Sequence, residues 1–115
     1  MSRDSTTSDG TSRISEIRTT IGDRAAAERI ARRLVEDRLA ACVQIDGGIE
    51  SVYRWNDAVE AAAEWRLTMK TSLARTDDCV ASLLAQHGYE VPELLVSEVV
   101  ASRAYADWVL RSTSP

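Results

Sequence analysis

From Ala58 to Lys70 the chain alternates with hardly a break: Val59, Ala61, Ala63, Trp65, Leu67 and Met69 are apolar, while Glu60, Glu64, Arg66, Thr68 and Lys70 are not. A period of two held over so long a run specifies a strand with two chemically different faces. Leu39, Ala41, Val43 and Ile45 alternate in the same way until Gly47-Gly48 interrupts them. A glycine pair inside a strand pattern predicts a bend or bulge rather than the strand's end. Asn56-Asp57 between the two runs tolerates left-handed turn conformations. Residues 39 to 71 therefore read as one long β-hairpin, and any fold for this chain must accommodate it.

The flanking segments supply the rest of a small α+β domain. Ile17, Thr19 and Ile21 alternate with polar or small neighbours, which predicts a strand over residues 13–21. A helix follows with Asp23 as N-cap and Ala27, Ile30, Ala31, Leu34 and Val35 as its apolar stripe. Its other face mixes Glu28, Arg29, Arg32, Arg33 and Glu36, as a solvated face does. A second helix is expected from Thr76, with the Thr76 hydroxyl as cap, Cys79, Val80, Leu83 and Leu84 buried, and Gly88 ending it. Leu94 to Val100 reads as a strand with little alternation, expected deep in the sheet or covered on both faces. Ser102 is placed to cap a last helix carrying Tyr105, Trp108 and Val109 on one side. The order βαββαβ plus a short helix is the split arrangement of a ferredoxin-like fold with an antiparallel sheet. Residues 1–12, rich in Ser, Thr, Asp and Gly, are expected to be a flexible tail, and residues 13–115 a single domain.

Such a sheet packs its helices on one face. Helices of three to four turns cover only part of strands this long, so the remaining apolar area calls for another subunit. The overall charge is −4, which leaves no electrostatic footprint for nucleic acid or an anionic membrane. No apolar run is long enough to span a bilayer and no signal-peptide pattern is visible, so a cytoplasmic protein is expected. Cys42 and Cys79 lack CxxC spacing and read as apolar thiols in element interiors. Nucleophile-elbow, P-loop, HExxH and dinucleotide fingerprints are absent, which argues against an enzyme.

Several stretches resemble the divalent-cation tolerance protein CutA family: 31–43 (ARRLVEDRLAACV), Ser51-Val52-Tyr53-Arg54-Trp55, Glu64, Met69-Lys70-Thr71, 87–95 (HGYEVPELL) and Tyr105-Ala106-Asp107-Trp108. They cover nearly all of residues 13–112 in the same order. The resemblance implies a ferredoxin-like subunit, a homotrimer assembled through the long hairpin strands, and a part in tolerance to divalent metals, copper in particular. It also suggests kinship with PII-type signalling trimers, which bind ligands in clefts between subunits, an analogy of fold alone. Where some relatives have Cys at the end of the first strand and a His-His pair after the second helix, this chain has Thr19-Thr20 and Gln86-His87. His87 thus stays as the one residue of a soft metal site, and one imidazole is not such a site.

The candidate site is an inter-subunit cleft lined by Tyr53, Trp55, Glu64, Lys70, His87, Tyr89 and Glu93, suited to a small polar ligand or a cation. Tyr53 and Trp55 share a face, and antiparallel pairing across the turn puts Glu60, Glu64 and Lys70 on it. The aromatics could equally plug a subunit interface, and Glu64 with Lys70 could form an intermolecular ion pair that fixes register. His87 sits at a helix end, where the dipole favours its charged form, and serves either as a structural cap or as a metal ligand.

Overall fold

The computed structural model describes residues 10–115. Its elements are β1 (Thr11–Ile21), α1 (Arg24–Glu36), β2 (Cys42–Trp55), β3 (Ala58–Thr71), α2 (Thr76–Gln86), β4 (Leu95–Ser102) and α3 (Arg103–Ser112). The strands form one antiparallel sheet in the order β2-β3-β1-β4. This is the ferredoxin-like βαββαβ arrangement with an added terminal helix. The first strand starts at Thr11, so Thr11 and Ser12 of the expected tail are already in the sheet, while residues 1–9 lie outside the described part.

The hairpin forms as its pattern requires. Asn56 and Asp57 both adopt left-handed backbone, φ 49° and 63°, which matches a tight two-residue turn to the twist of its strands. The register runs Trp55 opposite Ala58, Tyr53 opposite Glu60 and Ile45 opposite Leu67, with one shift between Gly47 and Ile49. That shift is the bulge the glycine pair predicts. Gly47 is needed there because the Trp65 ring lies across its backbone. A Cβ at Gly47 would fall 2.7 Å from Cγ and Nε1 of Trp65 and closer still to Cδ1.

Alternation on β1 sorts the core. Ile17 and Ile21, with Leu67 and Met69 of β3, pack against Ala27, Ile30 and Leu34 of α1 and Cys79 and Leu83 of α2. Each fully buried Leu or Met contributes about 1.5–3 kcal/mol relative to exposure. Ile14, three residues from Ile17 and so on the opposite face, meets Ala106 and Val109 of α3. The second face is therefore covered at one end by α3. Asp23 caps α1 by accepting from the Ala25 N–H at 3.2 Å, and Ser102 caps α3 by accepting from the Tyr105 N–H at 3.3 Å. Arg38 closes α1 in a left-handed conformation, φ 58°, turning the Leu39 and Ala40 N–H groups onto the Leu34 carbonyl.

Four expectations need correction. Thr76 is not the cap of α2: a 3₁₀ turn, Leu73–Arg75, leads in, and the Thr76 hydroxyl bonds back to the Ser72 and Leu73 carbonyls at 3.3 and 2.9 Å. Leu84 is exposed, because the short helix presents only Cys79 and Leu83 fully to the core. Gly88 does not end α2 in a left-handed cap; the chain turns extended already at His87. Finally, β4 is an edge strand paired only with β1, and Leu95, Val96 and Val100 are 55%, 49% and 56% exposed. Leu and Val recur on β4 although this chain alone does not cover them.

The far end of the hairpin projects from the body, giving a shape 49 × 26 × 26 Å in which every residue from Val52 to Ala61 is exposed. Among the described residues no helix is long and apolar enough to cross a membrane.

Candidate functional site

Where the hairpin leaves the body, the loop after α2 folds back against it and encloses a cleft of about 830 Å³. One wall is Ser51 to Trp55 of β2, and the other is the segment from Gly88 to Glu93, with Thr20 and Glu64 contributed by β1 and β3. Pro92 stiffens the second wall by fixing its own φ and holding Val91 extended.

Glu64 is 7% exposed. It faces the same side as Tyr53 because Glu60, opposite Tyr53, is four positions before it on one strand. The Tyr89 hydroxyl donates to Glu64 Oε2 at 2.8 Å. Burial pushes the Glu64 carboxyl up, but hydrogen bonds with Ser51, Tyr89 and Thr20, and last the electrostatic effect of His87, outweigh it and hold it below its ordinary value. Glu64 is therefore an anion at neutral pH. The same contact acts in reverse on Tyr89, whose hydroxyl is pushed up to about 12, by burial first and then by the bond to Glu64, the charge of Glu64 and Tyr53. Gly22 leaves room for that hydroxyl, since a Cβ there would lie 2.7 Å from Tyr89 Oη.

His87 holds the loop in place. Its Nδ1 accepts from the Tyr89 N–H at 3.1 Å, which assigns the ring proton to Nε2. Nε2 then donates to the Thr20 carbonyl at 2.9 Å, with the Thr19 hydroxyl at 3.0 Å. The His87 and Tyr89 rings also pack at 4.9 Å between centroids. Both ring nitrogens are thus engaged within the chain. Thr19 does meet His87, but a hydroxyl is a hard donor. Among the described residues no group of three or more His, Cys, Asp or Glu side chains is placed to hold a metal ion.

Comparison with known proteins fits this architecture. A family model described as CutA1 divalent ion tolerance protein matches residues 16–112. The chain belongs to that family. It is 36% identical over 95 residues to the chloroplastic protein CutA of Arabidopsis thaliana, a match that covers 82% of this chain and 52% of the relative. The chain thus spans about half the length of that plant relative. The crystal structure of CutA from Xylella fastidiosa superimposes with a TM-score of 0.85 at 34% identity, covering 88% of this chain and 98% of that one. A structure described as the PII-like protein CutA from Nostoc sp. PCC 7120 in apo form gives 0.80 at 34% identity, covering 87% and 97%.

Of the seven sequence candidates, Tyr53, Trp55, Glu64, Tyr89 and Glu93 line the cleft. His87 stands behind the lining and positions Tyr89. Lys70 is not brought in. It lies six positions beyond Glu64 along β3, about 20 Å away at the rise of a strand, where its Nζ donates to Gln44 Oε1 at 2.7 Å. Within this chain Lys70 shares the face of Glu64 and is separated from it along the strand. The residues missed are Thr20, Ser51, Arg54 and Glu90. Thr20 and Ser51 could have been found from the register, since each is diagonal to Glu64 across a strand pair.

Proposed function

We propose that this chain acts as a cytoplasmic homotrimer in tolerance to divalent metal ions, copper in particular, and that it does so as a PII-like protein responding to a ligand in the Glu64 cleft. Direct binding of copper at His87 is the less supported route. The observation carrying this reading is the buried, ionised Glu64 held by hydroxyl groups at the foot of an aromatic-walled cleft. A mostly buried charge, prearranged beside open space, is what a polar ligand site needs. His87, by contrast, would have to give up the Tyr89 N–H or the Thr20 carbonyl to bind a metal.

Family membership supports the trimer, and so do the apolar residues this chain leaves uncovered on β4 and the hairpin tip, Val52 and Val59 among them. A catalytic role finds little support. Glu64 below the usual carboxylate range is a weak proton acceptor at neutral pH, and both nitrogens of His87 are taken.

Sedimentation equilibrium tests the assembly, with a mass three times the 12.7 kDa chain expected. A thermal-shift screen of small polar compounds tests the cleft. Stabilisation of the wild type that is lost in Tyr53→Ala and kept in Lys70→Ala is expected. Calorimetric titration with Cu(II), Cu(I) and Zn(II) tests the other route, and tight stoichiometric binding lost in His87→Ala would overturn the reading.

A further inference from the structure

Glu64 is a mostly buried anion whose hydrogen-bond donor, the Tyr89 hydroxyl, is neutral. Among the described residues of this chain no Lys or Arg forms an ion pair with it. Buried charges are normally matched by an opposite charge. The cleft around it is acidic on balance, with Glu64, Glu90 and Glu93 against the single cation Arg54. A carboxylate offers about four lone-pair sites, and the Tyr89 hydroxyl takes one of them, which leaves room for a further donor.

The remaining walls are aromatic. Tyr53, Trp55 and Tyr89 all line the space and all keep about two-fifths of their surface exposed. Aromatic faces attract weakly hydrated organic cations, most strongly where water is excluded. They offer nothing to a hard divalent ion, which asks for six or more oxygen ligands. Glu64, already bonded to Tyr89, cannot supply that shell, and Glu90 and Glu93 are not grouped with it to do so.

We infer that the cleft takes an organic ammonium ion, its positive centre set against the Glu64 carboxylate and its carbon skeleton against Tyr53, Trp55 and Tyr89. This inference rests on the reading of the cleft as a ligand site and names the chemical class of its guest. The Glu64 carboxylate supplies the charge that selects it, and the aromatic walls exclude strongly hydrated cations. Tyr89 orients Glu64, and His87 orients Tyr89.

The test uses the full-length protein and three probes of equal carbon skeleton: butylammonium, 1-butanol and butyrate. The readout is the indole N–H resonance of Trp55, assigned as the one lost in Trp55→Phe. Butylammonium is expected to shift it saturably, with affinity at least tenfold above that of the alcohol, since a charge-assisted hydrogen bond is worth more than about 1.4 kcal/mol. Butyrate is expected not to bind. Glu64→Gln should lose about tenfold in butylammonium affinity, and Tyr53→Leu, at an exposed position, should weaken binding if Glu64→Gln fails to fold. Equal or better binding of the alcohol or of butyrate would overturn the ammonium assignment and leave the cleft a ligand site. Failure of all three probes on the folded protein would overturn both.

Discussion

Tyr89→Phe removes one oxygen from the cleft and nothing from its walls, so its effect measures how Glu64 is kept charged. The Tyr89 hydroxyl donates to Glu64 Oε2 at 2.8 Å. A hydrogen bond to a charged acceptor contributes about 1.5–3 kcal/mol. Tyr89 is exposed enough for water to replace part of the bond, which lowers the expected cost to about 1 kcal/mol at pH 7. For a domain of this size that is a fall in Tm of about 4–8 °C at fixed protein concentration. The pH dependence follows from the sign of the Glu64 shift. Its folded-state value lies below the unfolded one, so its stabilisation is complete above about pH 4.3 and is lost as pH falls through the folded value. Tyr89→Phe should therefore cost most at neutral pH and progressively less below about pH 4. Urea denaturation of both proteins at pH 7 and pH 3, with a carbon-13 titration of the Glu64 carboxyl, reads both quantities. The variant's Glu64 should titrate at higher pH than the wild type's. Equal destabilisation at both pH values, or a Glu64 that titrates lower in the variant, would refute the account of the cleft.

Three further outcomes check the fold. Gly47→Ala drives a methyl group into the Trp65 ring, which should cost about 1–3 kcal/mol in a urea melt, as overpacking does, and displace the Trp65 indole resonance. Ser102→Ala removes the cap that accepts from Tyr105 and should lower stability by about 1 kcal/mol, seen in the same melt. Cys79 is fully buried, with its thiol pushed up to about 11 by burial despite the nearby Arg75. It should resist iodoacetamide at pH 8 until denaturant is added, as mass spectrometry after proteolysis would show.

The hairpin was legible because period 2 admits one backbone, and because Gly47 and Asn56-Asp57 carry backbone requirements of their own. The caps at Asp23 and Ser102 were legible for the same local reason. What escaped was everything set by position in the sheet. The Leu and Val residues of β4 suggested a covered strand, yet order in the sheet made it an edge. Lys70 shared a face with Glu64, but a periodicity says nothing about how far along that face a side chain stands. Thr20 and Ser51 are ordinary strand residues until the register sets them diagonal to Glu64. His87 was read from its residue type as a metal ligand or helix cap. Its partners, the Tyr89 N–H and the Thr20 carbonyl, make it the link between the first strand and the cleft loop.

His87 is the only histidine in the chain, which makes one measurement decisive. A long-range proton–nitrogen NMR spectrum of the ring, recorded at pH 8 before and after one equivalent of Zn(II) and then of Cu(I), reports its tautomer without ambiguity. The account predicts the ring proton on Nε2 and Nδ1 accepting from the Tyr89 N–H, with both nitrogen shifts unchanged by either metal. A Nδ1-protonated ring, or a ring nitrogen displaced by stoichiometric metal, would contradict it and return His87 to the role of a metal ligand.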